Sequence, residues 1–158
     1  IKQYQQLAVS GWELAYARYK HTGAWCAIAL RLMLDEKIRV TDACAAVDVG
    51  MVVNPDGVRN QIEGGLIQSC SWTLKEAVHF SREEVTTRTW EVYPILTFSE
   101  TPTVSVSIID RPAEPSVGSG EAATGPTAAA IGNAVRDALG VRVMRMPITF
   151  DRIMGLLV

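Results

Sequence analysis

Apolar and polar residues alternate through the first third of the chain. Leu14, Tyr16 and Tyr19, then Trp25 to Met33, then Ile38 to Val49, interleave aromatic, β-branched and long aliphatic residues with small ones, as strands of a meander do. The cluster Asp35–Glu36–Lys37 between the last two fits a hairpin loop, so this region is expected to be antiparallel β. At Asn54–Pro55–Asp56 the pattern changes: Asn54 can cap a helix, Pro55 suits its first turn, and Asp56 complements its dipole. Val58, Ile62, Leu66, Cys70, Leu74 and Ala77–Val78 then recur at helical spacing, predicting a long amphipathic helix to about His79.

Ser81 to Trp90 is charged and threonine-rich, a loop or edge strand, and prolines bracket a short extended piece between Tyr93 and Pro102. Val104, Val106 and Ile108 alternate with serines, the period of a strand buried on one face. Two prolines and two glycines make Pro112 to Gly120 a loop. Ala122 to Leu139 reads as a second helix stopped by Gly140, Val141 to Met146 as a strand, and Asp151 to Leu157 as a terminal helical turn. The expectation is one α+β domain over residues 1–158, antiparallel strands packed with two main helices.

Composition narrows the class. At 158 residues the chain can bury a core without disulfides or metals, and its 48% hydrophobic content excludes disorder. Fifteen basic against seventeen acidic residues, with no basic run, leave no footprint for nucleic acid or an anionic membrane surface. The longest apolar stretch, Ala24 to Leu30, is far short of the roughly 20 residues that span a bilayer. Cys26, Cys44 and Cys70 form neither a Cys-x-x-Cys nor an even framework, which argues against disulfides and zinc and for a reducing compartment. The chain starts at Ile1 without the features of a signal peptide, and is read as a piece of a longer polypeptide.

The most informative stretch is Val117–Gly118–Ser119–Gly120–Glu121 before an apolar helix. Glycines spaced by one residue let backbone N–H groups reach an acceptor with no side chain in the way. Without the Lys-Ser/Thr of a phosphate loop or a third glycine, neither nucleotide fingerprint applies. A carboxylate, Glu121, stands at the helix opening, either as a base or merely complementing the helix dipole. On the first helix Gln61 and Gln68 are seven residues apart, nearly superposed on one face, with Gly64–Gly65 between them. Two helical glycines cost roughly 1 kcal/mol each against alanine, so a packing or ligand reason is expected. His21 and His79 lack partners at metal-ligand spacing, and no Gly-x-Ser-x-Gly elbow surrounds Ser69, Ser71 or Ser119.

Taken in order, Ala46–Val47–Asp48–Val49–Gly50, Val53–Asn54–Pro55, Gln61–Ile62–Glu63–Gly64–Gly65–Leu66–Ile67–Gln68 and Gly118–Ser119–Gly120–Glu121 resemble the molybdenum hydroxylases. This is the xanthine oxidase and aldehyde oxidase family, and the likeness is to the C-terminal part of its molybdopterin-binding large subunit. The run from Asp110 through Ala134 is most similar to the branch acting on aromatic N-heterocycles, the isoquinoline 1-oxidoreductase β subunits. The resemblance implies that Glu121 is the catalytic base, that Gly118, Ser119 and Gly120 lie against the pterin, and that Gln61 contacts it. It implies hydroxylation of an aldehyde or aromatic N-heterocycle with water as oxygen source, Glu121 taking the proton from a molybdenum-bound hydroxide. The implied cofactor is molybdopterin, in its cytosine dinucleotide form, with molybdenum. Implied partners are the upstream part of the large subunit and an iron-sulfur small subunit, since this chain has no cysteine cluster to hold such a centre. A cytoplasmic location is expected, or a periplasmic one given an upstream signal. Ser119 stands where Val or Ala is frequent in the family, and Ala122 where Pro often follows the glutamate. The competing expectation is a non-catalytic interaction domain that, isolated, binds no cofactor.

Overall fold

The fold was established from a computed structural model that describes residues 8–35 and 37–157. Glu36 of the expected hairpin loop, and residues 1–7 on which the reading of the chain start rests, lie outside the described residues.

Five strands form one sheet: β1 (Ala8–Val9), β2 (Glu13–Arg18), β3 (Trp25–Leu34), β4 (Ile38–Asp48) and β5 (Thr103–Ile109). The first four pair antiparallel, as their alternation predicts, with β1 and β2 sharing one edge of β3 and β4 along the other. β5 joins β4 in parallel, from Asp42↔Thr103 to Asp48↔Ile109, so the sheet is mixed and not purely antiparallel. The chain must cross the sheet to add a parallel strand, and the helix α1 (Pro55–Leu74) makes that crossing.

Asn54 caps α1, its side chain accepting from the Gly57 N–H at 2.9 Å. The helix ends at Leu74 and not near His79, because beyond it the periodic apolar residues find no core: Val78 is exposed. Helix α2 (Thr124–Leu139) stops at Gly140, whose φ of 71° is the left-handed cap. A 3-10 turn at Phe98–Glu100 interrupts the expected extended piece, and α3 (Phe150–Met154) is the terminal turn. Val141 to Met146 forms no strand. Its alternation is real, with Val141 and Val143 packed on the core, but amphipathic burial does not supply a pairing partner.

Both long helices cover one face of the sheet. Ile28, Leu30, Leu32 and Val47 point into them and meet Ile62, Leu66, Ile131 and Val135, all fully buried. Each such side chain contributes about 1.5–3 kcal/mol of burial. α2 lies across β2 and β3, and α1 packs on α2 and β5. The ends of β4, α1 and α2 therefore meet around residues 110–124.

Candidate cofactor-binding site

The loop from Asp110 to α2 has no regular structure but a fixed course. Arg111 N–H donates to the Gly50 carbonyl at 3.1 Å, Met51 N–H to Glu114 at 3.1 Å, and Val117 N–H to Val49 at 2.9 Å. Gly50 is required there: its φ is +68°, and a Cβ would stand 2.1 Å from the Pro115 carbonyl oxygen. Arg111 bridges Asp48 and Glu114 at 3.0 and 2.9 Å. The Gly50 N–H, and after it Arg111, hold the Asp48 carboxyl below its usual range. On the other side the β2–β3 hairpin tip supports the loop, Ala24 N–H donating to Gly118 at 3.4 Å. A Cβ on Gly23 would meet the Tyr19 carbonyl oxygen at 2.6 Å and that of Gly118 at 3.4 Å, so a side chain would wedge hairpin and loop apart.

Between these supports Gly118–Ser119–Gly120–Glu121 is bare. The four N–H groups donate to no acceptor among the described residues, and a Cβ on Gly118 or Gly120 would meet nothing within 4 Å. Unpaired backbone donors persist only facing water or a ligand. Glu121 is exposed, and the Tyr19 hydroxyl donates to its Oε2 at 2.9 Å. Contrary to the expected helix-opening position, Glu121 precedes α2: the helix begins at Thr124 with Ala123 as its cap and no acid in its first turn. Ala122 and Ala123 are drawn into the core, and that burial tightens the turn and leaves Glu121 outside. The reading of Glu121 as a dipole complement in the first turn loses its geometry.

α1 meets this turn from below. Gly65 faces Ala123 and Thr124, where a Cβ would lie 3.7 and 3.8 Å from their methyl carbons, and the Ser69 hydroxyl donates to the Thr124 carbonyl at 2.7 Å. Gly65 and Ser69 are thus the packing reason for one of the two helical glycines. Gly64 is exposed with open space beside it. Gln61, one turn before Gly65, and Gln68 are both exposed. It is Gly65 and Ser69, not Gln61 or Gly64, that α1 packs against the start of α2.

Among the described residues no group of three His, Cys, Asp or Glu could hold a metal ion. His21 and His79 are exposed. Burial pushes the Cys26 thiol up to about 11 and that of Cys70 to about 12, so both are inert in the core. Tyr19 and Gly23 were not singled out in the sequence, and Gly50, the end of one ordered motif, was not read as an anchor of this loop. Of these only Gly50 carried a local signal, as the glycine closing an apolar strand.

The sequence matches the molybdopterin cofactor-binding domain over residues 15–102, more than half of the chain. The chain belongs to that family. The match takes in Gln61 and α1; the loop 118–121 lies beyond it. A nicotinate dehydrogenase subunit of Pseudomonas putida is 45% identical over 148 residues, covering 88% of this chain and 12% of that protein. The β subunit of isoquinoline 1-oxidoreductase from Brevundimonas diminuta is 33% identical over 98 residues, 61% of this chain and 12% of its own. The crystal structure of quinoline 2-oxidoreductase from Pseudomonas putida 86 superposes with a TM-score of 0.77 at 33% identity, over 84% of this chain and 18% of that one. The resemblance read from the ordered motifs is borne out, as is the α+β class. The chain spans less than a fifth of the length of these relatives.

The residues present suit a molybdopterin cofactor-binding domain. Backbone N–H groups without an acceptor among the described residues, open space beside Gly118, Gly120 and Gly64, and the Gln61 amide with its donor and acceptor would suit a phosphate-bearing pterin.

Proposed function

We propose that this chain is the C-terminal part of the molybdopterin-bearing subunit of a molybdenum-dependent hydroxylase, which oxidises an aldehyde or an aromatic N-heterocycle with water as the oxygen source. Residues 1–158 act in it as one α+β unit. The observation that carries this reading is the bare run Gly118–Glu121, four N–H groups with no acceptor among the described residues and an exposed carboxylate at the end, on a loop fixed from both sides.

The N–H groups of Gly118, Ser119 and Gly120 hold the pterin, in its cytosine dinucleotide form, and the Gln61 amide donates to it from α1. When bound, the molybdenum centre supplies the two-electron oxidation and activates the oxygen that water replaces. Glu121 accepts the proton at Oε1, the oxygen to which nothing among the described residues donates. A base placed in this way is worth roughly 10²–10⁴-fold. The electrons leave through an iron-sulfur partner subunit, and the upstream part of the large subunit encloses the rest of the cofactor and the substrate. The 45% identity to a nicotinate dehydrogenase subunit supports a heterocycle over an aldehyde.

The test is the molybdenum and pterin content of the full-length parent, alone and as Gln61→Ala. About one molybdenum per large subunit is expected, with partial loss in the variant, because one hydrogen bond to a bound cofactor is worth about 0.5–1.5 kcal/mol. A parent free of molybdenum and pterin after expression in a host that makes both overturns the reading.

A further inference from the structure

We propose that Tyr19 is a positioning residue for Glu121, fixing the carboxylate by one oxygen so that the other faces the reacting proton. The proposal rests on reading Glu121 as the base. An exposed glutamate on a loop otherwise spreads over many rotamers, whereas a general base must lie within hydrogen-bond reach of its proton. The Tyr19 hydroxyl donates to Oε2 at 2.9 Å across 102 residues of sequence, and no other hydrogen bond to the Glu121 carboxylate is formed among the described residues.

The hairpin tip is shaped for this contact at the expense of its own comfort. Lys20 and His21 take positive φ values of 47° and 60°, a pair of positions that favours Asn and Gly. Side chains are strained there, and strain of this kind concentrates where function needs it. Gly23 then permits the close approach to Gly118 that brings Tyr19 over the loop. The Lys20 ammonium covers the Tyr19 ring, 5.0 Å from its centroid. Its pKa is raised, chiefly by Tyr19. A tyrosine on a strained turn thus reaches one carboxylate, while the hairpin itself needs no hydroxyl at position 19. If the bond only pinned loop to hairpin, its loss would loosen the cofactor loop as a whole.

The experiment compares Tyr19→Phe, Glu121→Gln and, as control, Tyr16→Phe in the holoenzyme, with molybdenum content, kcat and KM measured on one heterocycle the wild type oxidises. We expect Tyr19→Phe to lower kcat about tenfold, the loss of one charge-assisted hydrogen bond, with KM and molybdenum content unchanged and Tyr16→Phe silent. On the chain itself, Glu121 in Tyr19→Phe should react faster with a water-soluble carbodiimide, read by mass spectrometry. If Glu121→Gln is severely impaired while Tyr19→Phe keeps its kcat, or loses molybdenum and KM together, or labels at the wild-type rate, Tyr19 does not position the base. If Glu121→Gln itself keeps its turnover, the base assignment falls instead and the positioning role with it.

Discussion

Gly50 and Glu100 each hold a loop to the body of the domain, one by having no side chain and the other by its charge. Gly50→Ala adds a Cβ at positive φ directly against the Pro115 carbonyl oxygen. The left-handed conformation and the clash together should cost at least about 2 kcal/mol, measured by urea unfolding, with faster proteolysis between residues 111 and 120. Glu100 is subtler. Burial tends to raise its pKa, but Lys75 Nζ at 2.5 and 2.7 Å, then the Thr97 N–H and hydroxyl, outweigh burial and bring the carboxyl from 4.5 to about 2. A pKa lower in the folded than in the unfolded state contributes stability that is present above pH 4.5 and is lost as the pH falls toward 2. Glu100→Gln should flatten the pH dependence of unfolding across that window, and an unchanged acid limb would contradict this. Glu121 and Gln61 stand out in the sequence only as members of an ordered set of motifs, and the roles proposed for them come from the resemblance that set carries. Gly23 and Tyr19 do not stand out, since their roles depend on Gly118 and Glu121, about a hundred residues away, and no local pattern encodes that approach.

Element by element, what the sequence revealed was burial, and what it concealed was direction and pairing. The alternation along β3 and β4, the Asn54 cap and the Gly140 stop are local signals, and all appear in the fold. Period-2 burial in β5 cannot state whether the strand runs parallel, and the same period in Val141–Met146 arises without any ladder. Helix periodicity likewise ran past Leu74 because spacing persists where packing ends. The two adjacent glycines of α1 now separate. Gly65 is a contact with α2, whereas Gly64 faces open space. Gly64→Ala should therefore raise the stability of the chain by about 0.5–1 kcal/mol, the helix-propensity gain, as read from thermal or urea unfolding. In the holoenzyme the same methyl should reduce cofactor content if the gap beside Gly64 is the cofactor's. A variant both more stable and fully loaded would assign Gly64 no part in binding.

The whole molecule is one layer of sheet with helices on a single face, and it leaves much apolar surface uncovered. Tyr16, Phe80, Trp90 and Phe98 are each at least 70% exposed. Such exposed side chains would be covered if they met further parts of a longer subunit, and the chain spans less than a fifth of its relatives' length. The isolated chain should consequently self-associate as its concentration rises, and sedimentation of a monomer at every concentration would count against these faces as contacts. The family and the cofactor class follow from the ordered motifs, but the chemistry proposed above turns on one carboxylate. Turnover normalised to molybdenum in Glu121→Gln tests it directly, because the amide preserves shape and the Tyr19 contact but cannot take a proton. A fall of at least ~10²-fold with fold and cofactor content preserved is the predicted result, and a variant that keeps most of its turnover per molybdenum contradicts the assignment.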